Sequence, residues 1–544
     1  MISESFRKSR EWLESRTGAE TSVRKFLMED IPASAGWPQV FGSVALFLLL
    51  TQALTGILLA INYSASRDEA YRSVTYIMRE VTAGRMIRGL HHWGASFMIV
   101  GVVLHMAQVF LYGAYKKPRE VTWIVGVLLL LLTLSFGLTG YLLPWDNRAY
   151  WATMVTVHIA SQAPLAGPYL VKLAGASEQL GALTLSRFYA LHVLILPAAT
   201  AVLIAFHLFL VRRHGVAPAA EVRGPNQKFY PRQAFRDVLA IFVTFTILFL
   251  AAAFVDAPIE RMADPTDTAY VPRPDWYFLF LFQTLKVFRG PLEAIGSIGL
   301  PTLAVLALFA VPFVDRTTVR RVRQRITAIG IVALSAATWG SLTFAAIASS
   351  PPHAAADALP GIPIQSTQFP ADELAGVGLF RRERCDACHN LVSGAPKEGP
   401  NLAGADLQKP REWRIVHFNH PSRAATGGGT GASRLRLTEL NALSVLLAKL
   451  TAEHGHELEE APQRLIDGAE VYAAHACGSC HRVNGSGGEI GPSLNGVALR
   501  RDRQWILKHF ATPQALSPGS VMPPYRFSTT EEDAMLTYLL SLAE

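Results

Sequence analysis

All four cysteines of this 544-residue chain fall in two copies of one pattern, Cys385-Asp386-Ala387-Cys388-His389 and Cys477-Gly478-Ser479-Cys480-His481. Two thiols spaced this way can take up the vinyl groups of a porphyrin as thioethers, and the histidine that follows ligates its iron. Disulfides or a zinc site are the rival reading, and two like patterns that use every cysteine speak against them. A second set of residues suits the same chemistry. His91 and His105 lie 14 residues apart in one apolar stretch, and His192 and His207 lie 15 apart in another. With about 100° of turn and 1.5 Å of rise per residue, each pair occupies roughly one helix face, about 21 Å apart. Two such helices facing each other can grip two stacked, non-covalent haems, each between two imidazoles. Histidines at membrane depth are unfavourable and usually functional. Gly42 and Gly56, and again Gly126 and Gly140, repeat the 14-residue spacing on neighbouring stretches. A residue without a side chain lets a flat macrocycle approach the backbone. Arg88 and Arg187, each a few residues before a proposed ligand, are suited to pair with haem propionates.

The elements that must hold these residues follow from composition. Half of the residues are hydrophobic and 17% are charged, which excludes an ordinary soluble protein. Seven apolar stretches, near 40–62, 92–112, 122–143, 190–211, 237–255, 294–314 and 325–349, are long enough to cross a bilayer as helices. None appears from about Ser350 onward. The net charge of +8 does not point to nucleic acid, because basic residues crowd the N-terminus (Arg7, Lys8, Arg10) and every second loop (Lys116, Lys117 and Arg119; Arg212, Arg213 and Arg232; Arg316, Arg320 and Arg325). Positive loops stay in the cytoplasm, so seven spans that start inside put everything after residue 350 in the periplasm. The first 36 residues carry no apolar stretch of a cleaved signal and are expected on the cytoplasmic surface. The expected class is all-α, a membrane helical bundle followed by small helical domains. Its parts are a surface segment at 1–36, a four-helix haem-binding domain at 37–218, a three-helix domain at 219–350, a linker at 351–366, and two domains at 367–455 and 456–544.

Each cysteine motif is followed by Gly-Pro (Gly399-Pro400; Gly491-Pro492) and then by parallel stretches at 413–418 and 505–510, each with Trp, His and Phe in the same places. Both copies resemble class I cytochrome c domains, which are small, helical and built around a covalent haem. In the second copy Met522, within Gly519-Ser520-Val521-Met522-Pro523, resembles that family's distal iron ligand, opposite His481. In the first copy the ungapped equivalent is Thr430, and no methionine occurs between His389 and Met522. His420 is expected as the sixth ligand there, with His417 or an open sixth position as the alternatives; His417 aligns with His509 and reads as structural.

Four further segments carry a second resemblance: Arg88-Gly89-Leu90-His91-His92-Trp93-Gly94-Ala95-Ser96, Lys117-Pro118-Arg119-Glu120-Val121-Thr122-Trp123, Thr139-Gly140-Tyr141-Leu142-Leu143-Pro144-Trp145-Asp146, and Ser186-Arg187-Phe188-Tyr189-Ala190-Leu191-His192. They resemble the signatures of cytochrome b from respiratory and photosynthetic bc complexes, in the chloroplast-type form with its companion subunit joined in one chain. The likeness covers about residues 20–330. It implies that His91 and His192 hold a haem nearer the periplasm and His105 and His207 one nearer the cytoplasm, which the direction of the spans also gives. Pro274-Asp275-Trp276-Tyr277 resembles the family's quinol-oxidation motif, usually Pro-Glu-Trp-Tyr, whose carboxylate accepts a proton. Aspartate is one methylene shorter, consistent with a low-potential menaquinol. Arg236 and Asp237 sit where the family binds quinone near the cytoplasmic face. Val40 stands where some relatives anchor an extra haem through cysteine. The resemblance thus implies a bacterial inner-membrane subunit of a quinol:cytochrome c oxidoreductase with two b and two c haems, coupled to proton translocation. Its partners would be a Rieske 2Fe–2S protein, the quinone pool, a cytochrome c or terminal oxidase, and a second copy of itself. A plain electron-wire subunit and a non-redox interaction protein with periplasmic binding domains are the rivals; residues 274–277 argue against the first.

Overall fold

The computed structural model describes residues 2–542 except 68, 177–179, 219–225, 266–269, 289, 350–367, 393, 396, 404–412, 414–416 and 419–434, with the backbone alone for 2–6, 291 and 453. The expected linker at 351–366, Thr430 and His420 lie outside the described residues. The chain divides into two compact units, the first running to Ala356 and the second from Asp357 to the C-terminus, residues 266–269 aside.

Among the described residues of the first unit, seven helices are long and apolar enough to cross a membrane: Trp37–Ala60, Gly84–Leu111, Glu120–Gly140, Ala182–His214, Arg232–Phe254, Ile295–Val314 and Ile326–Ala348. The second and fourth begin well before the apolar stretches that announce them, at 84 rather than 92 and at 182 rather than 190. An apolar window ends at the first charge, whereas a helix continues as long as its backbone bonds do. Arg88 and His91 therefore stand inside the second span, and Arg187 inside the fourth.

The fourth span is interrupted by a π turn at Leu191–Ile195, closed by the Leu196 amide on the Leu191 carbonyl. Pro197 is the cause. It has no N–H with which to complete the α-helical bond to Val193, and a single π turn takes in one extra residue. That residue explains the unequal histidine spacings. Fifteen residues across a π turn cover the rotation that 14 cover in a regular helix, so both pairs return to the same face.

The first and second spans pack along their length, as do the third and fourth, while the fifth crosses the second and first. Leu48, Val44 and Leu248 are buried where those three meet. Beyond the third span, Asp146 caps helix Asn147–Ser161 by accepting from the Ala149 amide at 2.8 Å, and its other oxygen accepts from the Glu260 amide at 2.9 Å. The Asn147 amide bonds to the Arg261 carbonyl, and the Ala263 amide to that of Trp145. Two loops far apart in sequence are thereby joined edge to edge. Two cations of the basic loops are buried. Lys116 reaches Asp315 at 3.0 Å and Arg325 reaches it at 2.5 Å. Cations taken out of water must be paired, and here the pairing ties the start of the third span to the ends of the sixth and seventh.

In the second unit, helices Ala371–Arg382, Leu437–Lys449, Gln463–Ala474 and Thr529–Ser541 build one shared core that includes Leu374, Leu446, Ile466 and Tyr538. The duplication read from the motifs extends to the backbone. Gly376 and Gly468 each stand nine residues before the first cysteine of their motif. A Cβ on Gly376 would stand 2.7 Å from Leu446 Cβ, and one on Gly468 2.5 Å from Tyr538 Cβ. Each copy thus crosses its two long helices at a glycine.

Candidate functional site

The His91 and His192 ring centres lie 6.3 Å apart with their planes at 74°. Two metal–nitrogen bonds of about 2 Å, plus about 1 Å from each nitrogen to its ring centre, add to about 6 Å. One iron fits between these rings. The tautomer is also arranged for it. Thr55 Oγ1 donates to the Thr51 carbonyl at 2.7 Å and Thr139 Oγ1 to the Ser135 carbonyl at 2.8 Å. Each hydroxyl, its proton already committed, lies 3.0 Å from a histidine Nδ1, Thr55 beside His91 and Thr139 beside His192. Each must therefore accept from Nδ1–H, which leaves Nε2 with its lone pair free for metal. Nδ1 of His105 and His207 is buried without such a partner.

Sequence reasoning assigns the four glycines to a macrocycle; the structure sets an imidazole edge against each. A Cβ on Gly42, Gly56, Gly126 or Gly140 would stand 3.3, 3.1, 3.7 or 2.6 Å from Cε1 of His105, His91, His207 or His192 respectively. The first span thus seats the histidines of the second, and the third span those of the fourth. Arg88 is buried and donates to the Ala257 and Pro258 carbonyls at 2.8 Å each. Arg187 donates to the carbonyls of Lys172 and Leu173. Both arginines thus fasten backbone, each a few residues before His91 or His192.

Around the 274–277 motif, Asp275 is clamped from two sides. Arg148 Nη2 lies 2.5 Å from Oδ1, and the Tyr277 hydroxyl donates to Oδ2 at 3.0 Å. Burial, with Asp275 beside it, pushes the Tyr277 phenol well above its ordinary range, so it remains a donor. Gly137 of the third span makes room for it, since a Cβ there would stand 3.1 Å from the tyrosine ring. Trp276 donates to Ser96 Oγ at 3.1 Å, which anchors the motif on the second span, and Pro274 is buried. Close by, Tyr270 donates to Glu260 at 2.6 Å, and burial next to Asp146 pushes the Glu260 carboxyl up to about 7.

Asp237 accepts from Ser43 Oγ and Gln233 Nε2, both at 2.9 Å, and Arg236 donates to the Ala35 carbonyl at 3.3 Å. Ser43 adjoins Gly42, so this carboxylate is one residue from the seat of His105.

In the second unit, His389 Nδ1 bonds to the Pro400 carbonyl and His481 Nδ1 to the Pro492 carbonyl, both at 2.9 Å. A Cβ on Gly399 or Gly491 would collide with the same rings. The Gly-Pro step therefore orients the histidine of each motif and leaves its Nε2 for iron. Cys385, Cys388, Cys477 and Cys480 are free thiols, available for thioether bonds. Met522 packs at the margin of the core.

Sequence reasoning missed Thr55, Thr139, Arg148 and Gly137. A signal existed for the threonines, since Thr-Gly occurs at both 55–56 and 139–140. None existed for Arg148, whose partner is 127 residues away.

Comparison with known proteins gives the family. The family model for cytochrome b/b6/petB matches residues 31–215, that for cytochrome b(C-terminal)/b6/petD residues 262–359, and that for cytochrome c residues 465–543. The cytochrome bc complex cytochrome b subunit of Chlorobaculum thiosulfatiphilum is 36% identical over 303 residues, 54% of this chain and 70% of that protein. The menaquinol:cytochrome c reductase cytochrome b subunit of Geobacillus thermodenitrificans is 48% identical over 178 residues, 32% of this chain and 80% of that protein. Cytochrome b6 of Synechococcus sp. (strain JA-3-3Ab) is 40% identical over 207 residues, 38% of this chain and 96% of that protein. A solved structure of a hyperthermophilic respiratory Complex III matches with a TM-score of 0.58 at 27% identity, over 63% of this chain and 91% of that one. The chain is a multi-pass member of the cytochrome b/b6 family that carries the C-terminal half of cytochrome b and a cytochrome c domain on the same polypeptide.

Proposed function

We propose that the chain is the cytochrome b/c subunit of a bc-type quinol:cytochrome c oxidoreductase that oxidises quinol at Asp275. The carrying observation is the pair of perpendicular imidazoles, 6.3 Å apart, on two facing spans. His91 with His192, and His105 with His207, would hold two b haems; the two cysteine motifs would hold two c haems, with Met522 on the iron opposite His481. Bound there, haem supplies one-electron transfer. Spare donors of Arg88 and Arg187 would meet propionates. The domain boundaries of this reading are 37–218 and 219–350 in the membrane and 367–455 and 456–544 beyond it, with the basic loops cytoplasmic and the c domains periplasmic.

The protein's own groups account for the proton. Arg148 and Tyr277 occupy both oxygens of the carboxylate, so quinol must displace one of them before Asp275 can take its hydroxyl proton. Pro274 and Trp276 keep the motif's backbone in register with the second span. The two electrons leave separately, one to a Rieske 2Fe–2S partner and one across the membrane to a quinone near Arg236 and Asp237. The shorter carboxylate at 275 and the name of the Geobacillus relative favour menaquinol. The complex would work as a homodimer and deliver electrons to a cytochrome c or terminal oxidase.

Asp275→Asn keeps the size of the side chain and loses the proton acceptor. It should abolish quinol-driven reduction of the b haems and leave their dithionite-reduced spectra intact. Undiminished turnover would refute the site, and a haemochrome assay without b haem would refute the whole reading.

A further inference from the structure

The first c-type motif has a ligand problem that the second does not. The loop that carries Met522 in the second copy corresponds in the first to residues 421–434, which contain no methionine, histidine, lysine or cysteine. Yet the His389 ring, its Nδ1 tied to Pro400, faces another imidazole. The His417 ring centre stands 6.0 Å away, with the two planes at 80°. That is close to the 6.3 Å and 74° of His91 and His192, and it matches the sum of two bonds of about 2 Å and two ring offsets of about 1 Å. His417 is also held in that attitude. Trp413, four residues earlier, stacks flat against it at 4.9 Å and 7°, and the His417 Nδ1 is buried with no hydrogen-bond partner among the described residues.

We propose that His417 is the sixth iron ligand of the first c haem, which is thereby bis-histidine, whereas the second is histidine–methionine. The assignment rests on the reading above that each cysteine motif carries a haem. His509 occupies the aligned place in the second copy and stacks on Trp505 in the same manner, at 4.6 Å and 11°; there the following loop carries Met522 and the histidine is left to packing. One ancestral position thus serves two purposes, decided by whether the following loop brings a sulfur. A thioether ligand raises the potential relative to a second imidazole, so the first c haem is the lower of the two and electrons run from the first copy to the second.

The test uses the full chain purified in detergent. Pyridine haemochrome counts the c haems, near-infrared magnetic circular dichroism reports their axial ligands, and carbon monoxide titration of the reduced protein reports open iron. The unaltered chain should show two c haems, one of them bis-histidine, and neither should bind carbon monoxide. His417→Ala should lose one bis-histidine signal and bind one equivalent of carbon monoxide at a c haem. His417→Met should convert that signal to the histidine–methionine type and raise the midpoint. His420→Ala should change nothing. The thioether bonds of Cys385 and Cys388 keep the haem in place in every variant, and the unaltered signal of the second c haem reports an intact fold. Two c haems with an unchanged His417→Ala spectrum, or an iron opened by His420→Ala, overturn the assignment alone. A single c haem in the unaltered chain sinks the two-haem reading and the assignment with it.

Discussion

Alanine at each of the four membrane glycines should damage haem binding in an order set by one distance. A comfortable carbon–carbon contact is about 3.5 Å. At Gly126 the new methyl would stand 3.7 Å from His207 Cε1 and nothing need move; at Gly140 it would stand 2.6 Å from His192 Cε1. The His192 imidazole would then have to retreat by about 0.9 Å to regain contact distance. A retreat of that size is close to half of a metal–nitrogen bond of about 2 Å. Overpacking of this kind costs about 1–3 kcal/mol, which at about 1.4 kcal/mol per tenfold is roughly a 5- to 140-fold loss of haem affinity. Gly42 and Gly56, at 3.3 and 3.1 Å, should fall between. The assay is haem b content per chain by pyridine haemochrome, joined to an optical redox titration that resolves the two b haems. Gly140→Ala should lose the haem of His91 and His192 alone, and Gly126→Ala should keep both. A Gly126→Ala protein that loses haem while Gly140→Ala retains it would refute the reasoning.

Three other outcomes follow from the same geometry. Thr139→Val removes the acceptor of the His192 N–H, and a hydrogen-bonded imidazole is the stronger donor to ferric iron. At about 0.5–1.5 kcal/mol per hydrogen bond, with about 1.4 kcal/mol worth roughly 59 mV in a one-electron couple, the midpoint of that b haem should rise by about 20–60 mV; an equal shift in both b haems would count against it. Glu260, raised by burial from 4.5 to about 7, binds a proton in the folded chain that the unfolded chain has released. Stability should therefore fall as pH rises from about 4.5 to about 7 and level off above, and thermal melts of Glu260→Gln across that window should lose part of the slope. Met522→Ala should remove the histidine–methionine signal and lower the midpoint of one c haem, read by near-infrared dichroism and potentiometry, while both c haems stay covalently attached.

The sequence by itself determined the chemistry and the element count. Fixed spacings carry that information: Cys-x-x-Cys-His is local, and histidines 14 or 15 residues apart fall on roughly one face of a helix. The seven spans were legible because twenty apolar residues have few other fates. What a one-dimensional pattern omits is which groups meet from distant parts of the chain. Only the tertiary structure pairs Arg148 with Asp275, sets Thr55 and Thr139 behind their histidines, and turns His417 toward His389. It also resolves the unequal histidine spacings through the π turn before Pro197, and buries Lys116 and Arg325, which read as loop charges, around Asp315. The reason is the same in each case: ligand orientation and charge pairing are settled by contacts between segments, and a single helix or loop read along its length holds only its own half of each contact.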